Sequence, residues 1–350
     1  MARSLIVAAL LLSCATPTLA QQQDCPPGGP AVTVVFDNDA HGMTLFRGSD
    51  NNYTTGLKIS LSTAPHDGST NDPDRIHRLF PFTGLTGQCH RTSWSVGTSM
   101  YAPTQISNPN LIPNDRPYAG WAYASYAIDA YSPNGRDSEV LEVNIGAIGP
   151  MTGGRATQTW VHEHITNAPT PKGWSHQLHN SPAAYVFYEQ KRRVLESPRN
   201  DWGSLSVHWG GTLGNVFTYP SAGAVLRLGY HVSATGPGRP TVNPPSNLLP
   251  TQAQIPTSEP PKPISFYFFA HSTGKLVFRN VFVDGGFYTD EPHTLSRNVP
   301  VADLELGFVL RYRNVAFTYR TTGRTREFDQ QTKSHYFGSI GITFGNTFTP

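Results

Sequence analysis

Along most of this chain apolar residues recur at every second position. Leu304, Leu306, Phe308, Leu310 and Tyr312 alternate with Glu305, Gly307, Val309 and Arg311. Leu57, Ile59 and Leu61 oppose Lys58, Ser60 and Ser62, and Leu141, Val143, Ile145 and Ala147 oppose Glu142, Asn144 and Gly146. A repeat of two places successive side chains on opposite faces of a strand, so each run predicts a sheet with one apolar and one polar face. No stretch after residue 20 holds the roughly 20 apolar residues that a membrane helix requires, so the fold class is all-β. Twelve strands are expected, near 32–39, 54–63, 92–101, 118–131, 139–148, 183–194, 202–212, 222–232, 264–273, 303–312, 315–322 and 335–344. An even number of antiparallel strands can close into a barrel, which leaves no edge and satisfies every backbone amide in lipid. Alternation by itself also fits a soluble sandwich or secreted barrel. The aromatics Trp94, Tyr101, Trp121, Tyr131, Trp209 and Tyr230, near strand ends, favour the girdles of a membrane barrel.

Export is written at the N-terminus. Arg3, the apolar run Leu5 to Leu12 and the small-residue end Thr18-Leu19-Ala20 form a secretory signal peptide over residues 1–20. A lipoprotein reading through Cys14 is opposed by the bulk of Leu12 and the short preceding run. Cleavage after Ala20 removes one of the 26 basic residues and none of the 24 acidic ones, leaving a net charge of +1. That balance, with no Lys/Arg block, points away from nucleic acid. No linker divides the remainder, and a single barrel domain over 21–350 is expected, as a monomer. Cys25 and Cys89 are the cysteines left after cleavage, an even count that favours a disulfide in an exported protein. Both precede odd-numbered strands and so share one end of a barrel.

Strand parity orients the chain. Tight turns at 132–135, 197–200 and 313–314 follow the fourth, sixth and tenth strands and mark the periplasmic end. The Pro-rich stretch 236–263 and the segment 66–88, with a possible short helix at 75–80, fall on that end too. Four polar clusters fall on the other: Asp37-Asn38-Asp39, Asn52-Tyr53-Thr54, Asn114 to Gly120, and His162-Glu163-His164. Taken singly, each has a plain structural use, as a strand end, a hairpin turn, an ion pair of Arg116 with Asp115 or Glu142, or an exposed helical turn. Their convergence on one extracellular rim predicts a site.

In order and spacing these motifs resemble the LpxR-like outer-membrane lipid A 3′-O-deacylases. The resemblance runs through Phe36-Asp37-Asn38-Asp39, Tyr53-Thr54-Thr55-Gly56, Asp115 to Trp121, Gly146 to Pro150, Gln158, His162, Gly173-Trp174, Gln177-Leu178, Asn180, Gly214 to Tyr219 and Arg324 to Phe328. It implies a twelve-stranded barrel with a short extracellular helix near His162. The implied activity is calcium-dependent hydrolysis of the 3′-linked acyloxyacyl ester of lipid A, the partners being lipopolysaccharide and the lipids of the outer membrane. The family's site positions fall on Asn38, Asp39, Thr54 and His162. His162 would be the general base, because imidazole titrates near neutral pH. Asp39, with Asn38, would hold Ca2+, which prefers oxygen ligands. Thr54 would orient substrate or donate to the developing oxyanion.

Facing gives two further expectations. Thr54 shares the phase of Lys58, Ser60 and Ser62 and is expected to point inward. Asn38 shares the phase of Val32, Val34 and Phe36 and is expected to point outward, so the strand has ended or bulged there, or the site opens toward lipid. The chain departs from the family pattern at 167–172, in lacking an evident basic residue near 107–110, and in its last residues, 345–350. Phospholipid hydrolysis and a non-enzymatic channel or scaffold stand as alternatives. Zinc binding by His162, His164, His176 and His179 matches no strong ligand spacing.

Overall fold

The computed structural model describes residue 25 and residues 29–345, apart from 41–42, 46–51, 68–88, 133–134, 167, 198–201, 233–240, 243–244, 247–262, 287, 289–290 and 292. The proposed signal peptide, the possible helix at 75–80, the chain end 346–350 and most of 236–263 lie outside the described residues. Within 236–263, Thr241–Val242 pairs with Pro245–Ser246. Twelve long strands follow one another as β1 (Ala31–Asn38), β2 (Asn52–Ser62), β3 (Cys89–Ala102), β4 (Ala119–Tyr131), β5 (Asp137–Ile148) and β6 (Ser181–Glu196), then β7 (Gly203–Gly214), β8 (Phe217–Tyr230), β9 (Ile264–Leu276), β10 (Pro300–Tyr312), β11 (Val315–Arg324) and β12 (His335–Gly345). Each pairs antiparallel with the next, and β1 pairs antiparallel with β12, which closes the barrel.

The two faces are inverted relative to a water-soluble protein. Thr33, Lys58, Ser60, Glu142, Glu189, Arg227, Glu305 and Arg320 are buried in the lumen, while Leu57, Ile59, Leu61, Trp94, Leu226, Leu228, Phe268, Leu304 and Phe344 are exposed on the outer wall. Exposing a Leu or Phe side chain to water forfeits about 1.5–3 kcal/mol. A continuous wall of them is stable where the surrounding solvent is itself apolar, as in a bilayer. Several lumenal charges are paired: Lys58 Nζ lies 3.0 Å from Glu142 Oε1, and Asp303 accepts from both Lys275 and Arg324, at 2.6 and 2.8 Å. Pairing offsets the cost of removing each charge from water.

At the end of the barrel reached by the C-terminus of β1, the lumen is filled by aromatic rings. Tyr53, Tyr101, Trp121, Tyr123, Tyr185, Phe217, Tyr219 and Phe337 form one buried cluster with Phe282, carried by the β9–β10 connection. Phe282 stacks on Tyr101 with ring centroids 3.8 Å apart. Asn280 starts that turn by accepting the Phe282 N–H on its side-chain oxygen. Tyr101, Trp121 and Tyr131 are therefore inward residues and not girdle residues, whereas Trp94, Trp209 and Tyr230 do face outward. At the opposite end Cys25 and Cys89 form a disulfide, with Cα atoms 5.4 Å apart.

Candidate active site

The site begins where β1 ends. Alternation carries Asp37 into the lumen, fully buried, and turns Asn38 to the outer face, as its phase predicts. The Asn38 side-chain oxygen then accepts the Ala40 N–H at 2.7 Å, an Asx turn that stops the strand. Asp39, just beyond, is buried, and its N–H donates to the Thr54 carbonyl at 3.1 Å.

On β2 the facing of Thr54 differs from the sequence expectation. The β2–β3 register passes from Tyr53 opposite Tyr101 directly to Thr55 opposite Met100, leaving Thr54 as the extra residue of a β-bulge. A bulge breaks the alternation locally. Tyr53 takes the lumenal position, against Tyr101 and Phe337, and Thr54 lines a pocket on the outer side, its hydroxyl donating to the Met100 carbonyl at 3.3 Å. Arg116 is likewise resolved: its guanidinium pairs with Glu327 at 2.6 Å and bonds Asn52, while Glu142 belongs to Lys58.

The fourth residue comes from the helix after β5, α1 (Gly154–Val161). Gly153, at φ 71°, turns the chain into it, and Gly154 lies where a Cβ would collide with the Trp174 ring. Trp174 donates its indole N–H to Gln158 at 2.8 Å, fixing the helix against the neighbouring loop. Gln158 and His162 are four residues apart and so share one helical face. His162 is the first residue past α1, its ring held by a 2.8 Å bond between Nδ1 and the Pro169 carbonyl. A carbonyl only accepts, so Nδ1 is the donor, and in the neutral ring the lone pair is on Nε2. Residues 162–166 continue as a π-turn in which His164 is exposed and stacks on Trp160.

A cavity of about 170 Å³ is lined by Asn38, Asp39, Thr54 and His162 together, with Gln158, Met100 and the outward apolar residues Phe36 and Leu57. It therefore opens along the outer wall. A larger groove, about 620 Å³, lies elsewhere on the wall along Ala222, Gly274, Leu276 and Ala302, and holds one ionisable residue, Lys275, already paired with Asp303. Gln158, Phe36, Leu57 and Met100 were not singled out for the site by sequence. Gln158 and Phe36 stood there only among the motifs that carry the resemblance, and Leu57 and Met100 only as members of strands; the spacing of Gln158 to His162 was a further signal for the first. Among the described residues no group of three or more His, Cys, Asp or Glu side chains is arranged to hold a metal, which leaves His162, His164, His176 and His179 apart as a zinc set.

The family model for the outer membrane protein LpxR matches residues 5–345. The chain belongs to the LpxR family. LpxR from Salmonella typhimurium is 19% identical to it, with 90% of this chain and 99% of that one covered at a TM-score of 0.70, and so has the same fold. The β domain of the Bordetella autotransporter Brka, 10% identical over 91% of this chain and 100% of that one, has a TM-score of 0.41. The translocator domain of NalP from Neisseria meningitidis, 9% identical over 90% and 88%, has 0.34. Both likenesses are too slight to bear on this chain. No curated protein matches the sequence. As an LpxR-family barrel with an apolar outer wall, the protein is an outer-membrane protein.

Proposed function

We propose that this barrel is a calcium-dependent lipid A deacylase that hydrolyses the 3′-linked acyloxyacyl ester in the outer leaflet, with its site at the extracellular face. The observation that carries the reading is the shared pocket of Asn38, Asp39, Thr54 and His162 on the lipid side of the wall, beside Phe36 and Leu57. A substrate whose acyl chains stay in the bilayer can reach such a pocket laterally, without entering the lumen.

His162 supplies the base. With Nδ1 bonded to Pro169, Nε2 takes a proton from water as its oxygen attacks the ester carbonyl carbon. The tetrahedral intermediate collapses by breaking the bond to the sugar 3′ oxygen, which recovers the proton from His162. A free acyloxyacyl acid and a sugar hydroxyl are released. Asp39, Asn38 and Thr54 present a carboxylate, an amide oxygen and a hydroxyl, all hard oxygen donors of the kind calcium binds. With a single carboxylate among them, water and substrate oxygens would complete the shell. Calcium, when bound, would polarise the ester carbonyl. Thr54 directs its proton to Met100, so its oxygen is available to accept, which suits ligation or substrate orientation better than donation to an oxyanion.

The aromatic filling of the barrel mouth argues against a channel. Mass spectrometry of lipid A from cells expressing the protein tests the reading. Loss of the 3′-linked chain is expected with calcium, and no loss with chelator or with His162→Ala, a change expected to cost about 10²- to 10⁴-fold in rate. Unchanged lipid A in all samples, with the barrel folded at the surface, overturns it. Phospholipid assays run in parallel would reveal the broader esterase.

A further inference from the structure

The four pocket residues sit on the outside of the wall, and directly behind three of them lies a buried polar cluster in the lumen. Asp37 precedes Asn38 and Asp39; Tyr53 precedes Thr54. Both side chains point inward and are fully buried. The Tyr53 hydroxyl donates to Asp37 Oδ2 at 3.0 Å, and the other oxygen, Oδ1, accepts from Ser339 at 2.6 Å and lies 3.4 Å from Arg320 Nη2. The backbone is tied at the same level: Thr55 donates its hydroxyl to the Asp37 carbonyl at 3.0 Å, and His335 donates Nε2–H to the Tyr53 carbonyl at 3.1 Å.

We infer that Asp37 and Tyr53 are positioning residues, a lumenal clasp that sets the separation of the Asn38–Asp39 strand end from the Thr54 bulge. The inference rests on the proposed hydrolase reading for its kinetic consequence, and on geometry alone for its structural one. As the extra residue of the bulge Thr54 has no partner of its own on β3, so that side of the ladder leaves its placement loosely determined. Just past the β1–β2 ladder, which ends at Asn38 opposite Thr55, the Asp39 N–H donates to the Thr54 carbonyl. The Tyr53–Asp37 bond links side chain to side chain between the same two segments, in a buried, aromatic-walled lumen where hydrogen bonds to a carboxylate are strong. Tyr53 is also held edge-on to Phe337, with ring centroids 5.0 Å apart, so its hydroxyl is aimed by packing.

Tyr53→Phe removes the hydroxyl and keeps the ring. Ser60→Ala is the control, since Ser60 on β2 and Ser95 on β3 make a buried hydroxyl pair at 2.9 Å, away from the bulge. Two readouts are needed in the purified, refolded barrel. Amide exchange of Asp39 is expected to quicken in Tyr53→Phe and to stay at the wild-type rate in Ser60→Ala. In lipid A hydrolysis, kcat is expected to fall about ten- to hundredfold in Tyr53→Phe with KM nearly unchanged, because misplacement of a reacting group acts on the transition state. Ser60→Ala should leave both constants unchanged. Unaltered Asp39 exchange in Tyr53→Phe, or equal losses in the two variants, overturns the clasp. Faster exchange in a protein that never acts on lipid A upholds the clasp and sinks the substrate. If Tyr53→Phe does not fold, Ser339→Ala, which leaves the aromatic packing intact, takes its place with the same outcomes.

Discussion

At the scale of single residues, identity and placement were unequally legible. Asn38, Asp39, Thr54 and His162 were named from local motifs, and strict period two gave the outward phase of Asn38. The same rule gave the wrong face for Thr54, because the extra residue of a bulge is defined by the partner strand, where Met100 is opposite Thr55, and not by β2 itself. The corrected facing makes the Thr54 oxygen testable. Thr54→Val conserves shape and removes the hydroxyl, leaving the Met100 carbonyl without this donor; it should cost about 1 kcal/mol of stability and most of the activity. Thr54→Ser keeps the oxygen and should retain activity within a few-fold. Steady-state rates and denaturant midpoints of the two variants decide it: a fully active Thr54→Val removes the hydroxyl from the mechanism.

Among the elements, the twelve strands were readable because lipid outside and charge inside force opposite polarity onto alternate residues. Their ends were less so: β8 starts at Phe217, and its first residues are recruited by the aromatic cluster and do not follow a wall pattern. The turn Val281–Asp284 was missed altogether. Four residues carry no period, and the reason Phe282 enters the barrel is a ring on a distant strand, Tyr101. That contact predicts an energetic centre for the mouth. Phe282→Ala should destabilise the barrel by about 3–5 kcal/mol, the usual cost of emptying a buried aromatic site. Urea or guanidinium unfolding in detergent measures it, and a shift below about 1 kcal/mol would mean that the β9–β10 connection merely rests on the mouth.

For the molecule as a whole, one end is held by the Cys25–Cys89 disulfide and the other by an ion pair that reaches across the barrel, Arg116 to Glu327. The disulfide was foreseeable from cysteine count and strand parity. The ion pair was not, since Arg116 precedes β4 and Glu327 follows β11, and nothing local couples them. Glu327 is buried, which alone would raise its pKa, but Arg116 and Arg324 outweigh burial and hold the carboxyl below its ordinary range. A carboxyl whose folded pKa is depressed contributes stability that is complete above its unfolded value, about 4.3, and is lost as pH falls through the lower folded value. Closure of the mouth should therefore hold from neutrality to about pH 5 and weaken only below about pH 4. Exchange of the Asn298 amide, which donates to the Glu327 carbonyl, follows that closure directly. Glu327→Gln should show faster exchange already at neutral pH, since it leaves the buried Arg116 guanidinium without its carboxylate while Arg324 keeps Asp303, and should lack the acid step. A wild-type step centred above pH 5, or one that persists in Glu327→Gln, would assign acid sensitivity to another group.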